Sequence, residues 1–451
     1  MAMLPCAVVM AQGRTRPNIV LIMADDMGQE CIGCYGSTYN TPNIDRLAEI
    51  GMRFNNGFSQ PLSTPSRVQL MTGKYNNRNY SNFGFLNHDQ KTFAHLAKNA
   101  GYATMISGKW QLGSNRNLPE HFGFDNYCLW QLSYERFVRE RYAAPLIEQD
   151  GKIRLYSEDE YGPDIFTAYV NDFIEDNKDR PFFVYYPMVL VHNPFFPTPD
   201  SREWKDKDLR ELNSNDNFPQ MVEYVDKNVG LIIDKLETLS LLENTIIIFI
   251  GDNGTNTAIS TPMKDGSIVK GGKGKTTDNG VRVPMIAYCG GSTYRNHICE
   301  DMVDFTDFMP TFAEAMGVKV PEEWGTEGQS FLPQIQGRKG KAREWVFCHY
   351  DAAFNGKPEN RAREFFRDVR YKLYSTGKFY DTVNDPQEKH PIEKGCGSRS
   401  AEKSRKKLEK LFRTVPEWKK GDPLVPMCIY DEYPLEHTPK ETSIDTILEN
   451  Y

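Results

Sequence analysis

The chain alternates continuous apolar runs with stretches whose apolar positions recur every three or four residues. Ile19-Val20-Leu21-Ile22-Met23 and Ile246-Ile247-Ile248-Phe249-Ile250 contain no polar position, the pattern of strands buried on both faces of a parallel sheet. Tyr102–Ser107, Pro181–Val191 and Val283–Tyr288 read as further strands. Between them, helical periodicity covers Pro42–Ile50 (Ile44, Leu47 and Ala48 on one face) and Lys91–Ala100 (Phe93, Leu96 and Ala97). It also covers Asp164–Asn177, Pro219–Leu239 (Met221, Val225, Val229, Ile232 and Leu236) and Asp301–Met316. The alternation predicts an α/β fold: a large, mainly parallel sheet sandwiched by helices. From about Gly337 the pattern changes to two strands, Glu344–Tyr350 and Tyr371–Tyr374, a charged helix over Ala401–Thr414, and a Pro-rich tail. The expected organisation is an apolar leader remnant over 1–13, a catalytic α/β domain over 14–336, and a smaller α+β domain with its tail over 337–451.

Composition narrows the functional classes. With 451 residues and a net charge of −7, the chain has no general attraction to nucleic acid or anionic membranes. An anionic substrate must therefore be captured by a local cationic pocket. No apolar run is long enough to span a bilayer. Met3–Gln12 is short, apolar and ends on small residues, like the end of a secretory leader cut after Ala11, which implies export to a periplasmic or extracellular space. Nine cysteines allow some disulfides in an exported protein, and Cys31-x-x-Cys34 reads as structural or disulfide-bonded rather than zinc-binding.

Candidate chemistry gathers where the strands end. Asp25 and Asp26 follow the first strand, Lys109 another, His192 a third, and Asp252 and Asn253 a fourth. In open α/β sheets ligands bind outside the carboxyl ends of the strands. The oxygen-only set Asp25, Asp26, Asp252 and Asn253 suits a hard divalent cation, Ca²⁺ or Mg²⁺ rather than zinc. Ser63-Thr64-Pro65-Ser66-Arg67 predicts a helix opening at Ser63 and closing at Gly73, because Pro is favoured in the first turn and Gly just beyond the last. A helix start attracts anions, and Arg67 lies one turn on along the same face as Ser63. The segment has the form of an oxyanion-ester site holding a candidate nucleophile.

The Ser63-x-Pro65-x-Arg67 motif resembles the signature of the formylglycine-dependent sulfatases, a family within the alkaline-phosphatase-like superfamily. Further blocks resemble that family in the same order. They are Asn18–Asp26, Gly108-Lys109-Trp110-Gln111-Leu112-Gly113, Val191-His192-Asn193-Pro194 and Gly251-Asp252-Asn253-Gly254. Gly272-Lys273-Gly274 with Asp278–Pro284, Arg370–Tyr374 and Phe379–Pro386 complete the series. The resemblance implies a serine-type site in which Ser63 is oxidised to formylglycine by a modification enzyme. The hydrated aldehyde then attacks sulfur. It implies calcium ligation by Asp25, Asp26, Asp252, Asn253 and the modified Ser63, and support of the nucleophile by Arg67. Lys109 and Lys273 would bind sulfate oxygens, and His192 would protonate the leaving alcohol. Gln111 falls among the substrate-binding positions.

Gln111 departs from the family, which carries histidine there; glutamine cannot take a proton, so another group must act in sulfate elimination. Asn279 departs from an acid-Gly-Gly pattern, a change expected to reflect local turn geometry or substrate contact. His88 and His121 are expected to serve structural roles ahead of substrate contact, His95 to be structural, Trp110 to be core, and Tyr134, Tyr142 and Tyr161 mostly to pack. The function expected is hydrolysis of sulfate esters on a sulfated oligosaccharide or monosaccharide. The alternatives are a phosphate or phosphonate ester hydrolase of the same superfamily, and a non-catalytic glycan binder with unmodified Ser63.

Overall fold

A computed structural model describes residues 16–133, 141–351 and 363–415. The leader expected over 1–13, Tyr134 and the C-terminal tail lie outside the described residues. The strands in chain order are β1 (Asn18–Ala24), β2 (Met52–Phe58), β3 (Ala103–Lys109), β4 (Asn126–Trp130), β5 (Leu146–Gln149), β6 (Lys152–Leu155), β7 (Phe182–Pro187), β8 (Thr245–Gly251), β9 (Ser260–Pro262), β10 (Ile268–Lys270), β11 (Arg282–Val283), β12 (Met285–Cys289), β13 (His297–Asp304), β14 (Val346–Tyr350), β15 (Arg363–Arg367), β16 (Tyr371–Tyr374) and β17 (Phe379–Asp381).

The main sheet has the order β11-β2-β12-β8-β1-β7-β3-β4-β5-β6, with β13 also paired to β2. Its centre, β8-β1-β7-β3-β4, is wholly parallel, and antiparallel pairs enter on both flanks. Alternate residues of β1 feed opposite layers. Ile19, Leu21 and Met23 pack with Val68, Phe93, Phe308 and Phe312, from helices Ser63–Thr72, Phe93–Asn99 and Phe308–Met316. Val20, Ile22 and Ala24 pack with Ile44, Phe166, Val225 and Ile232, from helices Pro42–Ile50, Gly162–Asp176 and Phe218–Thr238. This is the expected three-layer sandwich.

Three expectations need correction. The strand expected over Pro181–Val191 ends at Pro187, in register with Met23. Beyond it the backbone folds around Asp25, whose N–H donates to Leu190 O and whose carbonyl accepts from Val191 N–H, both at 2.8 Å. The helix expected over Asp301–Met316 begins at Phe308 after a short 3₁₀ turn, because Asp301–Asp304 complete β13 and the Asp304 side chain accepts from Thr306 N–H. Pro284, which cannot donate to a ladder, separates β11 from β12, so Val283–Tyr288 is not one strand. Of the structural or disulfide roles open to Cys31 and Cys34, the structural one remains: both are free thiols, as are the other described cysteines.

Strands β14-β15-β16-β17 form a separate antiparallel sheet. The helix Arg399–Phe412 packs on it through Ala401 and Leu408. A buried ionic network joins this sheet to the loop after β10. Arg367 donates to Asp278 Oδ1 at 2.5 Å, and Lys372 lies 3.4 Å from the same atom and 2.6 Å from Glu388 Oε1. Lys372 also donates to Thr276 O at 2.7 Å, and Arg282 reaches Asp278 Oδ2 at 3.0 Å. Burial alone would raise the Asp278 pKa, but Arg367, Lys372 and Arg282 hold it well below the usual carboxylate range.

Replacing Asp278 with Asn leaves two buried cations undercompensated. Urea unfolding at pH 7 is expected to show a loss of about 3 kcal/mol or more. A depressed carboxyl pKa contributes stability above its unfolded value and loses it as pH falls toward the folded value. The difference between wild type and Asp278→Asn should therefore shrink below about pH 4. A loss that is constant with pH would contradict the ion-pair account.

Candidate active site

The parallel centre of the sheet delivers the polar side chains to one edge. Register places Ala24 beside Gly251, so Asp25-Asp26 and Asp252-Asn253 emerge side by side. Asp26 N–H donates to Asp252 Oδ1 at 2.9 Å, and Asn253 Nδ2 donates to Asp26 Oδ1 at 2.8 Å. These two bonds lock adjacent strand ends into one acidic nest. Ser63 opens a ten-residue helix that Gly73 closes in the left-handed region (φ 66°), as expected. Its Oγ lies 3.2 Å from both Asp25 Oδ1 and Asn253 Oδ1. Lys109, the last residue of β3, lies 2.6 Å from Asp25 Oδ2 and 3.5 Å from Ser63 Oγ. Gly108 permits that strand end: its φ is +109°, and a Cβ there would sit 2.2 Å from Pro187 O.

Arg67 bridges two elements. Its Nε donates to Ser63 O at 3.3 Å and its Nη1 to the carbonyls of Lys109 and Trp110, while its buried Nη2 has no hydrogen-bond partner. Lys273 lies 2.5 Å from Asp26 Oδ2. Its loop is fixed on both sides, by Lys273 N–H to Thr255 O at 2.9 Å and Gly274 N–H to Pro61 O at 2.8 Å. His192 points Nε2 toward Asp26 Oδ2 at 3.9 Å, while Nδ1–H donates to Asn193 O at 2.6 Å. Asp25, Asp26 and His192 form a group whose ligand atoms lie within 4.8 Å of one another.

The electrostatics follow from burial. Asp25, Asp26, Asp252, Asn253, Ser63, Arg67 and Lys109 are all buried. Burial and the charges of Asp25 and Asp26 push Asp252 up to about 7, against the pull of Lys109. Burial opposes ionisation of Asp25, yet Lys109, His192 and Lys273 hold it well below the usual range. Burial lowers Lys109 despite Asp25, whereas Asp26 and Asp25 overcome burial and raise Lys273. Burial brings His192 down to about 4 against the attraction of Asp25 and Asp26. Three carboxylates and one amide oxygen thus share a buried space in which Asp25 and Asp26 face lysines while Asp252 has no described ion-pair partner. That donor set fits a hard divalent cation.

The structure therefore brings together Ser63, Arg67, Lys109, His192, Lys273, Asp25, Asp26, Asp252 and Asn253. Gln111, two residues beyond Lys109, is exposed at φ 46°. The rings of His88 and His121 pack 5.4 Å apart, and His95 caps its own helix through Thr92. Trp110 is core. Asn279 makes local turn contacts, accepting from Thr277 Oγ1 at 2.6 Å and donating to Lys270 O at 2.9 Å. Tyr142 and Tyr161 are buried. Sequence reasoning missed the role of Tyr142, whose hydroxyl donates to His192 O and lies 3.3 Å from Val189 O, anchoring the histidine loop. It also missed Arg141, beside it. Neither residue belongs to a motif.

An α/β sandwich with an acidic nest, a serine at a helix start and flanking lysines defines an ester hydrolase of the alkaline-phosphatase-like kind. Residues 17–318 match the Sulfatase family model, and residues 273–415 match the model for the N-sulphoglucosamine sulphohydrolase C-terminal region. The chain belongs to the sulfatase family and is a sulfuric ester hydrolase. It is 29% identical to human arylsulfatase A over 367 residues, covering 74% of this chain and 70% of that one. It is 31% identical to an arylsulfatase of Hemicentrotus pulcherrimus, covering 70% of this chain and 61% of that one. N-acetylgalactosamine-6-sulfatase of Mus musculus is 29% identical, covering 74% of this chain and 68% of the relative. Among solved structures, Ps i-CgsB superposes with a TM-score of 0.73 at 24% identity, covering 89% of this chain and 92% of that chain. BT4656, in complex with its substrate D-glucosamine-2-N,6-O-disulfate, superposes with a TM-score of 0.71 at 24% identity, covering 91% of this chain and 100% of that chain. These two share the fold.

Removing the Tyr142 hydroxyl takes a donor from the His192 and Val189 carbonyls. Tyr142→Phe is expected to lower stability by about 1–2 kcal/mol, read by thermal or urea unfolding. An unchanged midpoint would show that the hydroxyl does not anchor the His192 loop.

Proposed function

We propose that the chain hydrolyses sulfate esters on carbohydrate, with Ser63 as the precursor of a formylglycine nucleophile and a calcium ion held by Asp25, Asp26, Asp252 and Asn253. The observation that carries this reading is the placement of Ser63 Oγ 3.2 Å from both Asp25 Oδ1 and Asn253 Oδ1, inside a nest of buried oxygen donors. Sulfated carbohydrate is supported by the names of two similar proteins, the mouse N-acetylgalactosamine-6-sulfatase and the glucosamine-disulfate complex of BT4656. The leader-like start supports export to a periplasmic or extracellular space. The catalytic unit is assigned to 14–336 and the smaller domain to 337–451.

The bound cation would supply positive charge for sulfate oxygens and favour an ionised nucleophile. The chain's own residues do the rest. Arg67 holds the first turn of the Ser63 helix against the end of β3, and its open Nη2 is available to the modified side chain. Lys109 and Lys273 now rest on Asp25 and Asp26. With a cation held by those carboxylates, both ammonium groups would be free to contact sulfate oxygens, as point charges suited to a tetrahedral head group. Asp252 assists deprotonation of the attacking hydroxyl.

Because His192 Nδ1–H is committed to the Asn193 carbonyl, Nε2 is the nitrogen that exchanges protons with the substrate. An arriving sulfate ester brings negative charge and raises the low pKa of the imidazole, so Nε2 can carry a proton to the leaving oxygen. After that transfer the imidazole is neutral. With Gln111 unable to accept a proton, His192 is the group that takes one from the remaining hydroxyl as sulfate leaves.

Two measurements test this reading. In protein from its native host, mass spectrometry of the Ser63 peptide should show the loss of two hydrogens. His192→Ala and Lys273→Ala should each lower kcat/KM on a sulfated saccharide by about 100-fold or more with circular dichroism unchanged. An unmodified Ser63 in active protein, or wild-type rates in either variant, contradicts the assignment. Faster turnover of an aryl phosphate than of any sulfate ester would point to phosphoryl chemistry instead.

A further inference from the structure

Arg141 lies against the site and none of the chemistry above uses it. It sits between β4 and β5, only 6% exposed, with its guanidinium carbon 4.3 Å from the centre of the Trp130 ring. Trp130 is paired in register with Lys109, so the stacked guanidinium stands beside the strand end that delivers the lysine. The next residue, Tyr142, is the one that binds His192 O. On the other side the backbone is tightly packed, since a Cβ on Gly162 would sit 2.1 Å from Arg141 O. After burial, the charge of Arg141 is among the influences that lower both Lys109 and His192.

Its Nε and Nη1 are both buried and lack a hydrogen-bond partner. Ring stacking accommodates the cation but fills none of its in-plane donors. An unpartnered buried guanidinium carries a large desolvation cost. The neighbouring cations Lys109 and Lys273 already face Asp25 and Asp26, whereas Arg141 has no described carboxylate within ion-pair reach. Its Nε and Nη1 thus have no acceptor among the described residues.

We propose that Arg141 forms a second anion subsite, binding a carboxylate or second sulfate on the substrate while Lys109 and Lys273 address the reacting sulfate. This rests on the proposed function above and adds a specificity for doubly anionic saccharides. Charged hydrogen bonds are worth about 1.5–3 kcal/mol, or roughly 10- to 150-fold in affinity.

The test is calorimetric titration of the calcium-loaded Ser63 form, which should bind substrate with little turnover. The probes are sulfated disaccharides in pairs that differ by one additional carboxylate or sulfate. Wild type should bind the doubly anionic member of at least one pair about tenfold or more tightly. Arg141→Gln should lower that preference about tenfold or more, and Arg141→Lys, which keeps the charge, should restore part of it. A preference unchanged in Arg141→Gln, no preference in wild type, or no binding of any probe would overturn the proposal. The readout is independent of turnover. If the preference is present and depends on Arg141 while the formylglycine form cleaves no sulfate, the functional reading fails and the subsite stands.

Discussion

The site depends on burying three carboxylates of which Asp252 has no ion-pair partner among the described residues. Asp25, Asp26 and Asp252 are each at most 2% exposed, and Lys109 and Lys273 are the lysines paired with this cluster. Carboxylates removed from water must be paired, protonated or bound to a metal. Here Lys109 and Lys273 pair with Asp25 and Asp26, and burial with the neighbouring carboxylates pushes Asp252 up to about 7. A divalent cation would release both lysines and ionise Asp252. Metal binding and readiness for an anionic substrate are then one electrostatic event.

The fold makes that concentration of charge possible. Parallel strands β1 and β8 end in register, and the bonds from Asp26 N–H to Asp252 and from Asn253 to Asp26 join the two ends. Groups from elsewhere arrive by specific tethers: Arg67 to the end of β3, Lys273 to Thr255 and Pro61, and His192 through Tyr142. The small C-terminal sheet contributes at a distance. Arg367 and Lys372 grip Asp278 and Thr276, which lie on the loop that carries Lys273. Each tether replaces a flexible side chain or loop with a fixed donor, which lowers the reorganisation needed when substrate binds.

Much of this was legible in the sequence because the relevant signals are local. Unbroken apolar runs marked β1 and β8, and the acids directly after them could only emerge at the sheet edge. Pro65 and Gly73 bounded the Ser63 helix closely. The signal failed where tertiary contacts override local pattern. Residues 188–191 are as apolar as the strand before them, yet they leave the sheet to wrap Asp25. Met302–Asp304 pair with β2 although their spacing also suits a helix start. Lys372 was visible inside the Arg370–Tyr374 block, but its contact with Asp278 joins the small sheet to the segment after β10, far away in sequence. Arg141 and Tyr142 carry no motif, and their proximity to Lys109 and His192 arises only when β4 pairs with β3.

The most direct measurement is a calorimetric calcium titration of the wild-type chain alongside Asp25→Asn and Asp252→Asn, with and without inorganic sulfate. The account predicts one calcium ion bound per wild-type chain, tighter sulfate binding in its presence, and loss of both effects in each variant. Calcium binding of equal strength in all three proteins, or sulfate binding indifferent to calcium, would contradict it.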